Sequence, residues 1–228
     1  MLSNHDFSGK RCLVTGGAKR LGRETALALA RAGASLAIHY NSSGGPAESL
    51  CQELRAEGVA AVPVQADLGN PEEVEPLFED SWNQLGGLDF LVNNASIFPA
   101  GRMNEMGLHD VHRNFQVNAW APFLLIRAFW RKLQATSGRG SVVNLLDTRL
   151  VGGDLAHSAY HLSKVMLAEV TSMAALEFAP ELQVNGVAPG AVLPPEEMDE
   201  PYLEGLTSEL PLRRRGFPKD ITQATLFL

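Results

Sequence analysis

Tyr160 and Lys164 stand four residues apart in an Ala/Leu-rich stretch. Four residues is about one turn of helix, so the two side chains project from one face. An ammonium beside a phenol favours the phenolate and lowers a phenol pKa from its ordinary value of about 10. A phenol so tuned gives or takes protons near neutral pH. The pair is common by chance and identifies nothing by itself. It gains weight from Thr15-Gly16-Gly17-Ala18-Lys19-Arg20-Leu21-Gly22, from Asn93-Asn94-Ala95 and from Asn118.

The glycine-rich run suits a pyrophosphate. Glycine lets backbone come close, and a helix N-terminus adds free N–H groups and the positive end of a dipole. A plain strand-to-helix turn is the alternative; the run's place after the first strand of an α/β pattern selects the nucleotide reading. NAD-type sites carry an acidic residue at the end of the second strand, bonded to ribose hydroxyls. Here that strand ends His39-Tyr40-Asn41-Ser42-Ser43, without a carboxylate. Lys19 and Arg20 instead suit a 2′-phosphate, and the hydroxyls of Ser42 and Ser43 add donors. Cations at a helix start are disfavoured by the dipole unless an anion binds. The expected cofactor is therefore NADPH/NADP+ rather than NADH.

These residues need a frame to hold them. Short apolar runs predict strands over 11–15, 35–40, 59–65, 88–93, 141–146 and 183–187. Between them, helices are predicted over 21–32, 48–57, 71–85, 110–134 (kinked at Pro122) and 158–178. Strands that are apolar without alternation are buried on both faces, and strands alternating with helices make a parallel sheet wound on both sides. The expected fold is α/β, a single Rossmann-type doubly wound parallel sheet. Ligands then sit beyond the carboxyl ends of the strands. That places function in the glycine loop, at 39–43, at Asp67-Leu68, over 93–98, at Asp147 and over 188–192.

Composition narrows the classes. The chain has 228 residues, 45% hydrophobic and 20% charged, with a net charge of -7. Nucleic-acid binders present excess Lys and Arg, so that class is excluded. No run reaches the roughly 18 apolar residues of a membrane span. Two cysteines, Cys12 and Cys51, make no disulfide framework, and no histidine stands at a metal-like spacing from either. No metal is expected, and a reducing cytoplasm fits. Trp120, Phe123, Phe129 and Trp130 follow helical spacing and suit core or a subunit interface. His157 and His161 flank Tyr160 without a clear partner and receive no role. Arg213 to Arg215 reads as a solvated or salt-bridged run.

From residue 10 onward the chain resembles the short-chain dehydrogenase/reductase family. The resemblance is carried by the Thr-Gly-rich loop, Asp67-Leu68, Asn93-Asn94-Ala95, Asn118, Tyr160-x-x-x-Lys164 and Val184-Asn185-Gly186-Val187-Ala188-Pro189-Gly190. It implies one NADP(H)-binding domain over 1–228, Tyr160 as the acid, Lys164 on the nicotinamide ribose and tuning Tyr160, and Asn118 holding a water relay. It also implies Asp67 against the adenine, backbone near Ala95 along the adenosine ribose, Pro189-Gly190 bordering the nicotinamide, and Leu68, Asn93, Asn94 and Val192 among the cofactor contacts. A homo-oligomer, a tetramer in the family, and a substrate-covering segment over 190–212 follow from it too. The family continues past this chain's last residue into one more strand. The resemblance thus predicts a sheet lacking that strand, with reduced stability or altered assembly from an uncovered edge.

Two departures sharpen the reading. The family's loop has Gly where this chain has Arg20, and its catalytic Ser stands about 13 residues before the Tyr, where this chain has Asp147. Both replacements resemble the pteridine reductases, as do Asn94-Ala95-Ser96-Ile97-Phe98 and His39-Tyr40. That resemblance implies Ser96 bonded to cofactor phosphate and pterin, and Phe98 stacked on the pterin ring. Ser42 stands where some of those proteins carry an Arg. A pterin is flat and polar-edged, so a stacking face at Phe98 suits it, with Arg20, Ser96, Asp147 and Tyr160 at the rim. Reducing its C=N bond places hydride on carbon and a proton on nitrogen, which suits Asp147 with Tyr160 as a coupled donor. Asp147 could otherwise simply cap a turn. The expected activity is NADPH-dependent reduction of a dihydropterin (dihydrobiopterin or dihydromonapterin) or dihydrofolate. A reductase or dehydrogenase of a carbonyl, sugar or acyl substrate is the alternative. A non-catalytic nucleotide sensor comes third, weakened because a binder needs no proton donor.

Overall fold

A computed structural model describes residues 6–194, 205, 207 and 210–228. Its strands are β1 (Arg11–Val14), β2 (Ser35–Tyr40), β3 (Ala61–Gln65), β4 (Phe90–Asn93), β5 (Gly140–Leu145) and β6 (Leu182–Val187). They pair in the order β3-β2-β1-β4-β5-β6, parallel throughout. The order reverses between β1 and β4, and at such a switch point the loops diverge to leave a crevice.

Helices cover both faces. On one side lie α1 (Arg20–Arg31), α2 (Gly44–Ala56) and α7 (Pro218–Phe227); on the other lie α3 (Pro71–Leu85), α5 (Ala121–Thr136) and α6 (Ser158–Glu177). Each face has its own apolar cluster. Leu29, Ile38, Leu50 and Leu54 are fully buried in one, and Phe78, Leu91, Leu125 and Phe129 in the other. Burying both faces is what leaves the strands without alternation. Local sequence sets the boundaries: α3 starts at Asn70, whose side chain accepts from the Glu72 N–H, and ends at left-handed Gly86.

The single helix expected over 110–134 is corrected. The chain forms α4 (Leu108–Phe115), then a π-helical turn at Gln116–Trp120, then α5. Pro122 falls directly after the π turn, where the backbone stays helical through Trp120 and Ala121, so its missing N–H leaves a carbonyl of that turn without its helical partner. The break is the wide turn around Asn118. α2 also begins before the expected 48, because Gly44, Gly45 and Pro46 form its first turn. Phe129 is core, Trp130 stacks on Phe178 at 5.0 Å, and Trp120 is 43% exposed. Arg215 lies over the Phe217 ring. Among the described residues, no helix is long and apolar enough to cross a membrane.

Candidate active site

The glycine loop packs directly onto the start of α1. Gly16 has φ 60°, a left-handed conformation that suits glycine. A Cβ on Gly22 would stand 2.2 Å from the Gly16 carbonyl oxygen and 2.6 Å from Asn94 Nδ2, so the close approach requires glycine. The loop is stitched to the end of β4. Thr15 Oγ1 accepts from the N–H groups of Asn94 and Ala95, both at 3.0 Å, and Asn94 Nδ2 donates to the carbonyls of Thr15 and Gly16.

His39 supports the loop from below. Its Nδ1 accepts from the Gly16 N–H at 3.0 Å, so the ring proton is on Nε2, which donates to the Ala66 carbonyl at 3.1 Å. Burial pushes its pKa down to about 4. The side chains of Thr15, His39, Leu68, Asn93 and Val192 are buried under the strand-end loops. Asn93 Nδ2 donates to Asn144 Oδ1, and Asn144 Nδ2 to Thr171 Oγ1, tying β4, β5 and α6 together.

Arg20 opens α1 at φ 53°, where the family resemblance puts glycine. A side chain held there costs about 1 kcal/mol or more, so the guanidinium must return something glycine cannot. Its Nη2 donates to the Pro194 carbonyl, joining the glycine loop to the segment after β6. Lys19 is exposed beside it, and no acidic residue stands in the first turn of α1. Asn41 and Ser42 are exposed past β2; Asn41 Nδ2 donates to Asp67 Oδ1 at 3.3 Å, and Arg113 lies 3.8 Å from Asp67. A loop that only glycine closes and a free helix N-terminus with Lys19 exposed at its start fit the phosphates of a dinucleotide.

At the other end of the cleft, α6 carries Tyr160 and Lys164. Tyr160 Oη donates to Asp147 Oδ2 at 2.6 Å, and Lys164 Nζ donates to the Leu145 carbonyl at 2.7 Å. Asp147 serves twice, since its Oδ1 accepts from the Arg149 N–H at 2.7 Å and caps the short turn Thr148–Leu150. The proposed turn cap and the proposed tyrosine partner are thus the same residue.

The expected electrostatics are corrected. Burial first, and then the Asp147 carboxylate, hold the Tyr160 phenol well above the ordinary phenol range. Lys164 lies 5.8 Å from the Tyr160 ring centre and is brought down to about 8 by its own burial, with Asp147 opposing. In this arrangement burial, with the Asp147 carboxylate second, keeps the proton on Tyr160.

Asn118 has a fully bonded side chain. Its Oδ1 accepts from the Ile97 N–H at 2.9 Å and from Ser96 Oγ at 3.1 Å. Its Nδ2 donates to the Ile97 carbonyl and to Ser163 Oγ, each at 3.0 Å. An amide has two donors and two acceptor positions, and all four are used. The Asn118 side chain is therefore a positioning group, clamping the Ser96-Ile97 backbone to α6. The π turn at Gln116–Trp120 gives it that orientation, consistent with such turns gathering at functional sites.

Phe98 follows the clamped segment. Its ring stacks on His157 (centres 3.8 Å apart, planes 17° apart) and stands edge-on to Tyr160 at 4.6 Å. So His157, left without a role in the sequence, has two partners: Phe98 and Asp154, whose Oδ2 is 3.0 Å from its Nδ1. The other residues missed are Ser163, Asn144, Thr171, Arg149 and Asp154. Only the Asp154-x-x-His157 spacing carried a local signal. Pro189 and Gly190 lie beside Thr148, whose N–H donates to the Pro189 carbonyl at 3.2 Å. Of the expected covering segment over 190–212, residues 195–204, 206, 208 and 209 lie outside the described residues.

A glycine loop and a Tyr-Lys pair at the carboxyl ends of a doubly wound parallel sheet define a dinucleotide-dependent oxidoreductase. The chain belongs to the short-chain dehydrogenase family, whose model, "short chain dehydrogenase", matches residues 10–202. It is 30% identical to versicolorin reductase 1 of Aspergillus parasiticus, over 100% of this chain and 92% of that protein. Among solved structures it is similar to FolM alternative dihydrofolate reductase 1 from Brucella canis, complexed with NADP. That match has a TM-score of 0.93 and 31% identity, covering 98% of this chain and 88% of the other. The FolM protein from Brucella suis, also in complex with NADP, matches with a TM-score of 0.91 and 32% identity, over 96% of this chain and 87% of the other.

Proposed function

We propose that this protein reduces a pteridine with NADPH: a dihydropterin such as dihydrobiopterin or dihydromonapterin, or dihydrofolate. The observation that carries the reading is the 2.6 Å hydrogen bond from Tyr160 Oη to Asp147 Oδ2. A carboxylate where the family has a serine suits protonation of a ring nitrogen better than of a ketone oxygen. Arg20 in a backbone conformation made for glycine supports the same reading, as do the FolM structures.

When bound, NADPH supplies the hydride that adds to carbon of the C=N bond. This chain's residues do the rest. Lys19, Arg20, Asn41, Ser42, Ser43 and the N–H groups of α1 hold the cofactor's phosphates. Backbone near Ala95, with Asp67, frames the adenosine, and Lys164 with Pro189-Gly190 frames the nicotinamide end. Phe98 offers the substrate an aromatic face, and Arg20 and Ser96 bond its polar rim. Asp147 and Tyr160, joined by the Tyr160 Oη–Asp147 Oδ2 hydrogen bond, form the donor that passes a proton to the ring nitrogen. After transfer the pair is refilled from solvent.

The same reading treats 1–228 as one catalytic unit with 190–212 over the substrate, acting in the cytoplasm as a homo-oligomer. Exposed Met173 and Leu176 on α6 and exposed Trp120 support self-association. The test is NADPH consumption with dihydrobiopterin, dihydrofolate and a simple diketone. Turnover of the pterins above the diketone is expected. Turnover of the diketone alone would assign the protein to carbonyl reduction, the second reading, which versicolorin reductase 1 favours.

A further inference from the structure

Phe98 lies outside any helix or strand, and a phenyl ring on a loop has two torsions to lose before it can serve as a stacking surface. Here the ring is held on several sides. His157 stacks on it, Tyr160 meets it edge-on, and the Arg149 guanidinium lies 5.6 Å from its centre.

His157 is itself fixed. Facing a carboxylate, its Nδ1 must carry the proton, which it donates to Asp154 Oδ2. The same oxygen accepts from Arg149 Nη1, and Asp154 Oδ1 accepts from the Ala156 N–H at 3.0 Å. The backbone is locked as well. Gly101 N–H donates to the Ala156 carbonyl at 2.8 Å, and Ser158 N–H donates to the Gly101 carbonyl at 3.0 Å. This bridge ties the Phe98 loop to the start of the helix that carries Tyr160. The bridge stands apart from the glycine loop and meets the Tyr160-Asp147 pair through Phe98 on Tyr160 and the Arg149 N–H on Asp147.

We propose that His157 is a positioning residue that selects flat heteroaromatic substrates: stacked on Phe98 and pinned by Asp154, it fixes the ring plane beside Tyr160. It covers the Phe98 ring and, with the Arg149 guanidinium also over it, fixes the tilt that the ring presents beside Tyr160. Its imidazole needs no charge and transfers no proton for this. The inference rests on the pteridine reading, since a small aliphatic carbonyl would take little from a fixed ring.

Two variants separate the ring from its hydrogen bond. His157→Gln keeps a donor for Asp154 and removes the ring; His157→Phe keeps the ring and removes the donor. KM and kcat for dihydrobiopterin are measured for both, with the KM for NADPH as control. H157Q is expected to raise the dihydrobiopterin KM about tenfold, the scale of one lost aromatic stack, with a smaller change in kcat. H157F is expected to return KM to within about threefold of wild type. A KM unchanged in H157Q, an H157F variant as impaired as H157Q, or a parallel rise in the KM for NADPH would each overturn the proposal. If either variant fails to fold, His157→Asn and His157→Tyr form the equivalent pair. Wild-type protein that consumes NADPH with a diketone but not with dihydrobiopterin removes the pteridine reading and this inference together. That failure is read on the wild type, not on a variant.

Discussion

Beside β1, the glycine loop on the cofactor side of the cleft is held from beneath by neutral groups with their hydrogen bonds closed. His39 is uncharged between Gly16 and Ala66, Thr15 bonds the Asn94-Ala95 backbone, and Asn94 bonds back to the loop. Beside β5, the substrate side is built from ionisable groups pressed together. Asp147, Tyr160 and Lys164 form one group there, and Arg149, Asp154 and His157 another bonded to it through the Arg149 N–H. A binding surface for a fixed cofactor gains from rigidity and has no use for titration. A proton-transfer site needs groups whose environments push their pKa values apart. Arg20 crosses between the two sides. It starts α1 on the cofactor side and reaches Pro194 beyond β6.

The largest expected effect falls on the substrate side. Tyr160→Phe removes the proton donor while leaving the ring against Phe98. Turnover should fall on the order of a thousandfold, the usual scale for a lost acid, with NADPH affinity kept. Fluorescence titration with NADPH beside steady-state rates separates the two; a matched loss of binding would erase the division between the sides.

The next effect is one of stability on the cofactor side. His39 has its pKa lowered from 6.5 to about 4, so between those values the unfolded chain binds a proton that the native one does not. Stability from this group is complete above pH 6.5 and is lost as pH falls toward 4, by about 3 kcal/mol in all. Denaturation at pH 7.5 and pH 5 should show His39→Gln with a flatter acid limb than wild type. Equal limbs would contradict the neutral His39.

Arg20→Gly gives the smallest and most diagnostic change. Glycine relieves the φ of 53°, so the melting temperature should hold or rise slightly, while the NADPH Kd rises roughly tenfold. A melting temperature that falls together with affinity would make Arg20 a structural brace rather than a ligand group.

Much of this was legible in the sequence because it is local. Apolar runs between helical stretches located the strands, Tyr160 and Lys164 declared their shared face, and counting back from Tyr160 placed Asp147. What was not legible depends on distant partners. Asn118 is read correctly only when Ile97 and Ser163 are beside it, and the π turn that aims it has no simple sequence signature. The stacking partner of His157 was not visible because Phe98 is 59 positions away along the chain; only Asp154 was near. The Tyr160 shift was misread because Lys164 is near in sequence, whereas burial and Asp147 act only once β5 lies against α6. Arg20 could be seen to replace a glycine; its left-handed backbone could not.

The central claim is that Asp147 and Tyr160 act as one proton donor to a ring nitrogen. Asp147→Ser restores the residue type that the family resemblance leads one to expect, and it tests that claim directly. NADPH consumption by this variant is compared with wild type on dihydrobiopterin and on a diketone, with NADPH affinity measured alongside. The account predicts pterin turnover down by about a hundredfold, NADPH binding unchanged and the ratio of diketone to pterin turnover raised. Pterin turnover equal to wild type would contradict it and leave Asp147 as the cap of the turn after β5.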